Sequence, residues 1–428
     1  MRTHSRLSLL AATAIMLALP QRETVEAQQL LQPGDRVVLL GGTFIERMQT
    51  HGYLETELAS QLAHLNLTFR NLGWSGDNVQ GESRAVFGGI DDGFARLTRD
   101  LTLSAPSVVI VHYGVVEARA GPEGLKAFRE QLLRLVAVIK NLDARVILLA
   151  PRPQVAMGPR FPDPVQFNKL LDLYRHAIKR VAQSTNSALV DLDVPGGTRL
   201  KSTGSRRSAE RTGQARAPFS SGLSADGLQL TAMGYWSQAP ELVRALGGER
   251  TRVLVRVDVE GESITSSAGK IGAATLNTDQ VSFGLQGIRL PRPLPPKGPG
   301  SVAAATSRSL SLFVKDLAPG KYEIVVDGAV VASYSARLLT EGVEVPLPGV
   351  GTRISELRHN ISVKNEYFFH RYRPQNETYL FLFRKHEQGN NAVEIPMFDP
   401  LVEALDSEIH RLASLQLHEF VIRRRMPR

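Results

Sequence analysis

Thr43 stands just after the apolar run Val37-Val38-Leu39-Leu40 and the pair Gly41-Gly42, where a strand ends and the chain must turn. A hydroxyl there can attack an acyl carbon if a base takes its proton and donors receive the charge that builds on oxygen. Threonine carries that hydroxyl on a β-branched side chain, bulkier than serine and stiffer at χ1. Three further short blocks follow in chain order: Asn71-Leu72-Gly73-Trp74-Ser75-Gly76-Asp77, Tyr113-Gly114-Val115-Val116-Glu117 and Asp226-Gly227-Leu228-Gln229-Leu230. Their glycines suit tight strand-to-helix turns. The histidines to weigh as a base are His112, at the end of the run Val108 to His112, and His51, in the loop after Thr43. His370 and His386 lie in a distant aromatic-rich tail, which would bring one of them to Thr43 only by capping the pocket. A lone histidine at such places more often packs or is solvated than reacts, and alternation along a strand leaves the direction of His112 open.

In this order and spacing the four blocks resemble an SGNH (GDSL-type) hydrolase over residues 33 to 246. The longer pattern resembles a secreted bacterial subfamily, typical of planctomycetes, that carries a C-terminal extension. The resemblance implies a three-layer, flavodoxin-like α/β fold and hydrolysis of acyl or acetyl esters on a carbohydrate or small molecule. It also assigns roles. Thr43 takes the nucleophile position, with Gly42-Thr43 in place of Asp-Ser, and the oxyanion donors are the backbone N–H groups of Thr43 and Gly76. Val116 stands where the family has an oxyanion-hole asparagine, and Gln229 stands where it has the histidine base, three residues after the triad acid position Asp226. Valine cannot donate a hydrogen bond, and glutamine does not titrate near neutral pH. One side-chain role is thus altered conservatively and two are gone. Two readings stay open: a hydrolase whose activity is weak, altered or lost, and a non-catalytic glycan- or protein-binding protein that uses the same pocket.

The elements that must position these residues read as a doubly wound α/β domain, in which short β-type runs alternate with helical patterns. The strands expected are Val37 to Leu40, Leu67 to Asn71, Val108 to His112, Val146 to Ala150 and Ala188 to Asp191; the helices are Tyr53 to Ala63, Asp92 to Leu101, Glu123 to Ile139 and Pro164 to Ala182. Near-continuous apolar strands imply a parallel sheet covered on both faces. Residues 196 to 222, rich in Gly, Ser, Thr and basic side chains, read as a surface loop insertion, or as a basic arm for an anionic polymer. From 251 to 348 alternating runs and the turns Pro319-Gly320 and Asp327-Gly328 predict a small β-sandwich-like module, interrupted by the proline-rich stretch Pro291 to Pro299. From 351 to 428 a helical extension is expected, with helices over Ile354 to Phe369 and Pro400 to Leu412. Its aromatics, Tyr367, Phe368, Phe369, Tyr372, Tyr379, Phe381 and Phe383, interleave with charged side chains, which suits either carbohydrate recognition or packing back onto the α/β domain.

At 428 residues the chain is long enough for two or three domains. It has no cysteine, which excludes disulfides, thiolate metal sites, a lipidated cysteine and covalent haem attachment within the chain. Arg2, His4 and Arg6, the mostly apolar run Leu7 to Leu19 and the small-residue end Val25-Glu26-Ala27 read as a cleaved signal peptide over residues 1 to 27, hence a secreted or periplasmic protein. The net charge of +9 suits anionic surfaces, with acidic glycans or headgroups as neighbours rather than nucleic acid. No cofactor or metal-ligand spacing is expected, a protein partner is open, and no later segment reads as membrane-spanning.

Overall fold

The computed structural model describes residues 30–192, 222–248, 252–296, 309–389 and 391–425. The segment read as a signal peptide and, apart from Gly222, the basic insertion lie outside the described residues. Strands β1 (Arg36–Gly41), β2 (Thr68–Gly73), β3 (Val108–His112), β4 (Arg145–Ala150) and β5 (Ala188–Asp191) form a parallel sheet in the order β2-β1-β3-β4-β5. Helices α1 (Thr43–His51), α2 (Tyr53–Gln61), α3 (Ile90–Leu103), α4 (Leu125–Lys140), α5 (Val165–Ser184) and α6 (Ala232–Ala245) cover it. Successive strand side chains point to opposite faces. Val38, Leu40, Val109 and Val111 therefore pack with α3, α4 and α5, while Val37, Leu39, Val108 and Ile110 pack with α1, α2 and α6. This is the expected α/β architecture of the SGNH type, with both faces of the sheet buried.

The strand order reverses direction at β1, between β2 and β3, and ligands of open α/β sheets bind beyond the carboxyl ends of the strands at such a switch point. Register makes those ends level: Gly41 pairs with Gly73 on one side and with His112 on the other. The three blocks that follow β1, β2 and β3 thus start side by side.

The second part is a sandwich of two sheets. One has the order β13-β10-β6-β7 and the other β12-β11-β14-β9-β8. The strands are β6 (Leu254–Asp258), β7 (Ser263–Ser266), β8 (Lys270–Leu276), β9 (Gln280–Ile288), β10 (Ser309–Lys315), β11 (Lys321–Val326), β12 (Ala329–Ser335), β13 (Val343–Pro346) and β14 (Gln416–Arg424), with the short helix α7 (Ala336–Glu341) before β13. Val255, Leu312 and Val345 of one sheet meet Phe283, Ile324 and Phe420 of the other in a single apolar core. The strand β14 corrects the expectation of a wholly helical end, because the last strand of the chain lies inside the second sheet, paired with β9 and β11.

The extension contributes α8 (Val350–Tyr372), α9 (Glu377–Leu380) and α10 (Phe398–Ala413). Ile354, Leu357 and Ile361 of α8 enter the sandwich core, while Phe368 and Tyr372 enter the α/β core, so one helix fastens both. Lys364 of α8, wholly buried, pairs with Glu55 of α2, and Asn365 donates to the other oxygen of that carboxylate at 3.0 Å. Burial raises the pKa of Glu55 and the lysine beside it opposes that rise. Among the described residues no helix is long and apolar enough to cross a membrane.

Candidate active site

A cavity of about 250 Å³ opens beyond β1 and β3, and Thr43, Gly76, Val116, Gln229 and His112 all line it. Thr43 is the first residue of α1 and follows Gly42 directly, so its backbone N–H and that of Phe44 belong to the open first turn of a helix. The Gly76 N–H donates to the Thr43 hydroxyl at 3.2 Å. The two residues to which the resemblance assigned the nucleophile position and an oxyanion donor are thus in hydrogen-bond contact. Gly76 has φ +77°, which also gives it a purely conformational reason to be glycine. Gly73 has a different reason: a Cβ there would stand 2.2 Å from the Glu46 nitrogen, so β2 can press against α1 only without a side chain.

The loop from 73 to 77 is held from several sides. Asn71 donates to the Ile45 carbonyl and accepts from the Gly73 N–H, both at 2.8 Å. Tyr372 donates its hydroxyl to the Gly73 carbonyl at 2.7 Å. Glu46 accepts from the Ser75 N–H and from Arg373 at 3.0 Å, and the Arg373 guanidinium lies 3.8 Å from the centre of the Trp74 ring. The aromatic tail thus packs back onto the α/β domain and steadies the 73–77 loop from behind.

Among the described residues none of the four candidate histidines hydrogen-bonds to Thr43. His112 lines the cavity against Phe44, with ring centroids 4.6 Å apart, and burial pushes its pKa down to about 3. It is neutral at ordinary pH and binds a proton weakly. His51 packs tilted against Tyr235, with ring centroids 5.2 Å apart, and does not line the cavity; burial, then Arg47 and Arg358, lower its pKa. His370 packs beside Phe369 and Phe398, and His386 is exposed on the tail, so neither is brought to Thr43. Gln229 lines the cavity at the histidine position, whereas Asp226 does not. One oxygen of Asp226 accepts from the Leu228 N–H at 2.9 Å and the Gln229 N–H at 2.6 Å, so the carboxylate holds its own turn. Val116 is 38% exposed at the rim and offers no donor.

Sequence reasoning missed the charged lining. Two carboxylates, Asp77 and Glu117, and three guanidiniums, Arg47, Arg119 and Arg152, border the cavity. The carboxylates are committed: Asp77 pairs with buried Arg84 at 2.7 Å and accepts from the Tyr113 hydroxyl at 3.1 Å. Glu117 accepts from the backbone N–H groups of Val79 and Gly114, each at 2.8 Å, and burial raises its pKa against that support. None of the three arginines has a carboxylate partner among the described residues. The signal for Arg152 was present in the sequence, because it follows Val146 to Ala150 by two residues and so falls at the carboxyl end of a central strand. Among the described residues no three His, Asp or Glu side chains converge to hold a metal ion.

Residues 47–236 match the GDSL-like lipase/acylhydrolase family. The GDSL-like match begins after Thr43 and contains the other three blocks. In three dimensions the chain is similar to a gut microbial diltiazem-metabolizing enzyme, with 12% identity and a TM-score of 0.65 over 92% of this chain and 98% of that one. That likeness shows the fold, including the sandwich and extension beyond the GDSL-like region. An acetylxylan esterase from Geobacillus stearothermophilus aligns at 19% identity and a TM-score of 0.39, covering 52% of this chain and 99% of its own. No curated protein matches the chain in sequence.

Proposed function

We propose that this chain is an exported, degenerate ester hydrolase: it receives an acyl or acetyl ester of a carbohydrate or small molecule beside Thr43, but does not activate that hydroxyl. The observation that carries this reading is the protonation chemistry of the cavity. Gln229 occupies the position of the base, and the one histidine in the lining, His112, has a pKa near 3. What remains is an oxyanion site of backbone N–H groups, which by itself gives a small residual acceleration compared with an intact triad. Loss of the asparagine donor at Val116 lowers turnover by a further factor on the order of a hundred to a thousand.

The esterase lineage of the reading rests on the GDSL-like match and the retained turn at Gly76. The test is hydrolysis of p-nitrophenyl acetate and butyrate by the purified mature chain and by Thr43→Ala. Equal rates are expected. A second reading, a module that binds a glycan or protein without reacting, draws support from the unpaired arginines, and equal rates at the level of the uncatalysed reaction would select it.

A further inference from the structure

We propose that the cavity beside Thr43 is an oxyanion-binding site, which holds a carboxylate or sulfate group of its ligand against Arg152, with Arg47 and Arg119 alongside. The inference rests on the reading that this cavity is the ligand site and names the chemical class of the ligand. Arg152 is only 3% exposed and lines the cavity. One of its nitrogens donates to the Leu228 carbonyl, while Nε and Nη1 have no hydrogen-bond partner. A buried charge without an opposing charge is costly. Burial lowers the pKa of Arg152 to about 10, with Tyr235 and Asp226 opposing the fall, so the group still carries its charge at neutral pH.

The surroundings favour an anion. Asp226 is the nearest carboxylate influence on Arg152 but forms no ion pair with it, being occupied by the N–H groups of its own turn. Asp77 and Glu117, the acids in the lining, are matched by Arg84, Tyr113 and backbone donors. Arg47 and Arg119 carry no opposing charge; Arg119 rests over the Phe167 ring at 5.3 Å. At the other wall the first turn of α1 presents the Thr43 and Phe44 N–H groups, for which no acceptor exists among the described residues. The positive end of a helix and an unneutralised guanidinium thus border one small cavity, and arginine suits carboxylate and sulfate oxygens in particular.

The experiment is isothermal titration of the full mature chain, in low-chloride buffer, with sodium glucuronate, inorganic sulfate and neutral glucose. Glucuronate or sulfate should bind and glucose should not; which of the two binds tells a carboxylate from a sulfate source. Arg152→Gln should weaken that binding about ten- to a hundredfold, the range for charge-assisted hydrogen bonds. It should also leave unchanged or raise the midpoint of thermal unfolding of the ligand-free protein, because a buried unpaired charge is removed. Binding of neither anion, or equal binding of glucose, overturns the proposal. So does unchanged anion affinity in Arg152→Gln with a lowered midpoint, the mark of a purely structural arginine. If Arg152→Gln does not fold, the exposed Arg119→Gln decides: a loss of about two- to tenfold supports the site and unchanged affinity contradicts it. Anion affinity is read without any ester present, so a failure of this proposal is separable from a failure of the proposed chemistry, which is read from ester turnover.

Discussion

At Thr43 a hydroxyl lies 3.2 Å from the Gly76 N–H and among the described residues no histidine or carboxylate hydrogen-bonds to it; the proposed lack of a base predicts how the site can be repaired. Thr43→Ser, Val116→Asn and Gln229→His together should raise the rate of p-nitrophenyl acetate hydrolysis at least about a hundredfold over the natural chain. A folded triple variant without that gain would mean that the residues are assigned to the wrong roles. His112 supports a second prediction, on stability. Its folded pKa of about 3 lies below the value of 6.5 expected when unfolded, so between these values only the unfolded chain holds the proton. Its contribution is present above pH 6.5 and is lost as pH falls toward 3, by about 1.4 kcal/mol per unit. Urea unfolding of His112→Asn should accordingly lose less stability than the natural chain between pH 7 and pH 5. The places of Thr43, Gly76 and Val116 beside the cavity were legible because their blocks follow the ends of β1, β2 and β3, and that of Gln229 because its block runs straight into α6. The place of Arg152 just past a strand end could be read as well, but not its lack of an ionic partner, which only the packing around it reveals.

At the level of elements, the extension acts through α8. Breaking a buried ion pair by removing one partner leaves the other charge uncompensated, so Lys364→Ala should destabilise the protein by about 3 to 5 kcal/mol. Replacing both partners, with Glu55→Leu and Lys364→Met, should recover most of that loss, and denaturant titration of the two variants checks the difference. The strands Val108–His112 and Ala188–Asp191 fall where the apolar runs place them, and the other three of the parallel sheet differ from expectation by one or two residues at their ends. Such runs are read locally, because a strand covered on both faces must be apolar throughout. The strand β14 has the alternation His418, Phe420, Ile422 on its buried side, yet its partners β9 and β11 lie about a hundred residues or more back in the chain. A short pattern beside two helices gives no local hint of that pairing.

For the whole molecule, the consequence is that the two cores share α8 and that the sandwich needs the end of the chain. Heating should therefore give one calorimetric transition. Removal of residues 414–428 should lower its midpoint steeply, since it takes the strand between β9 and β11 out of the sheet. Two separated transitions in the full chain would contradict the bracing role of α8. The sequence pattern announced an α/β region, a β module and an extension in that order. It did not announce that the extension closes the β module and holds Gly73 and Glu46 through Tyr372 and Arg373, because those contacts join segments roughly three hundred residues apart.

The central claim is that Thr43 is present but not activated, and the most direct measurement is the initial rate of p-nitrophenyl acetate hydrolysis at neutral pH by the natural chain and by Thr43→Ala. The account predicts the same rate for both. A rate in the natural chain well above that of Thr43→Ala would contradict it, and would mean that a base outside Gln229 and His112 reaches the hydroxyl.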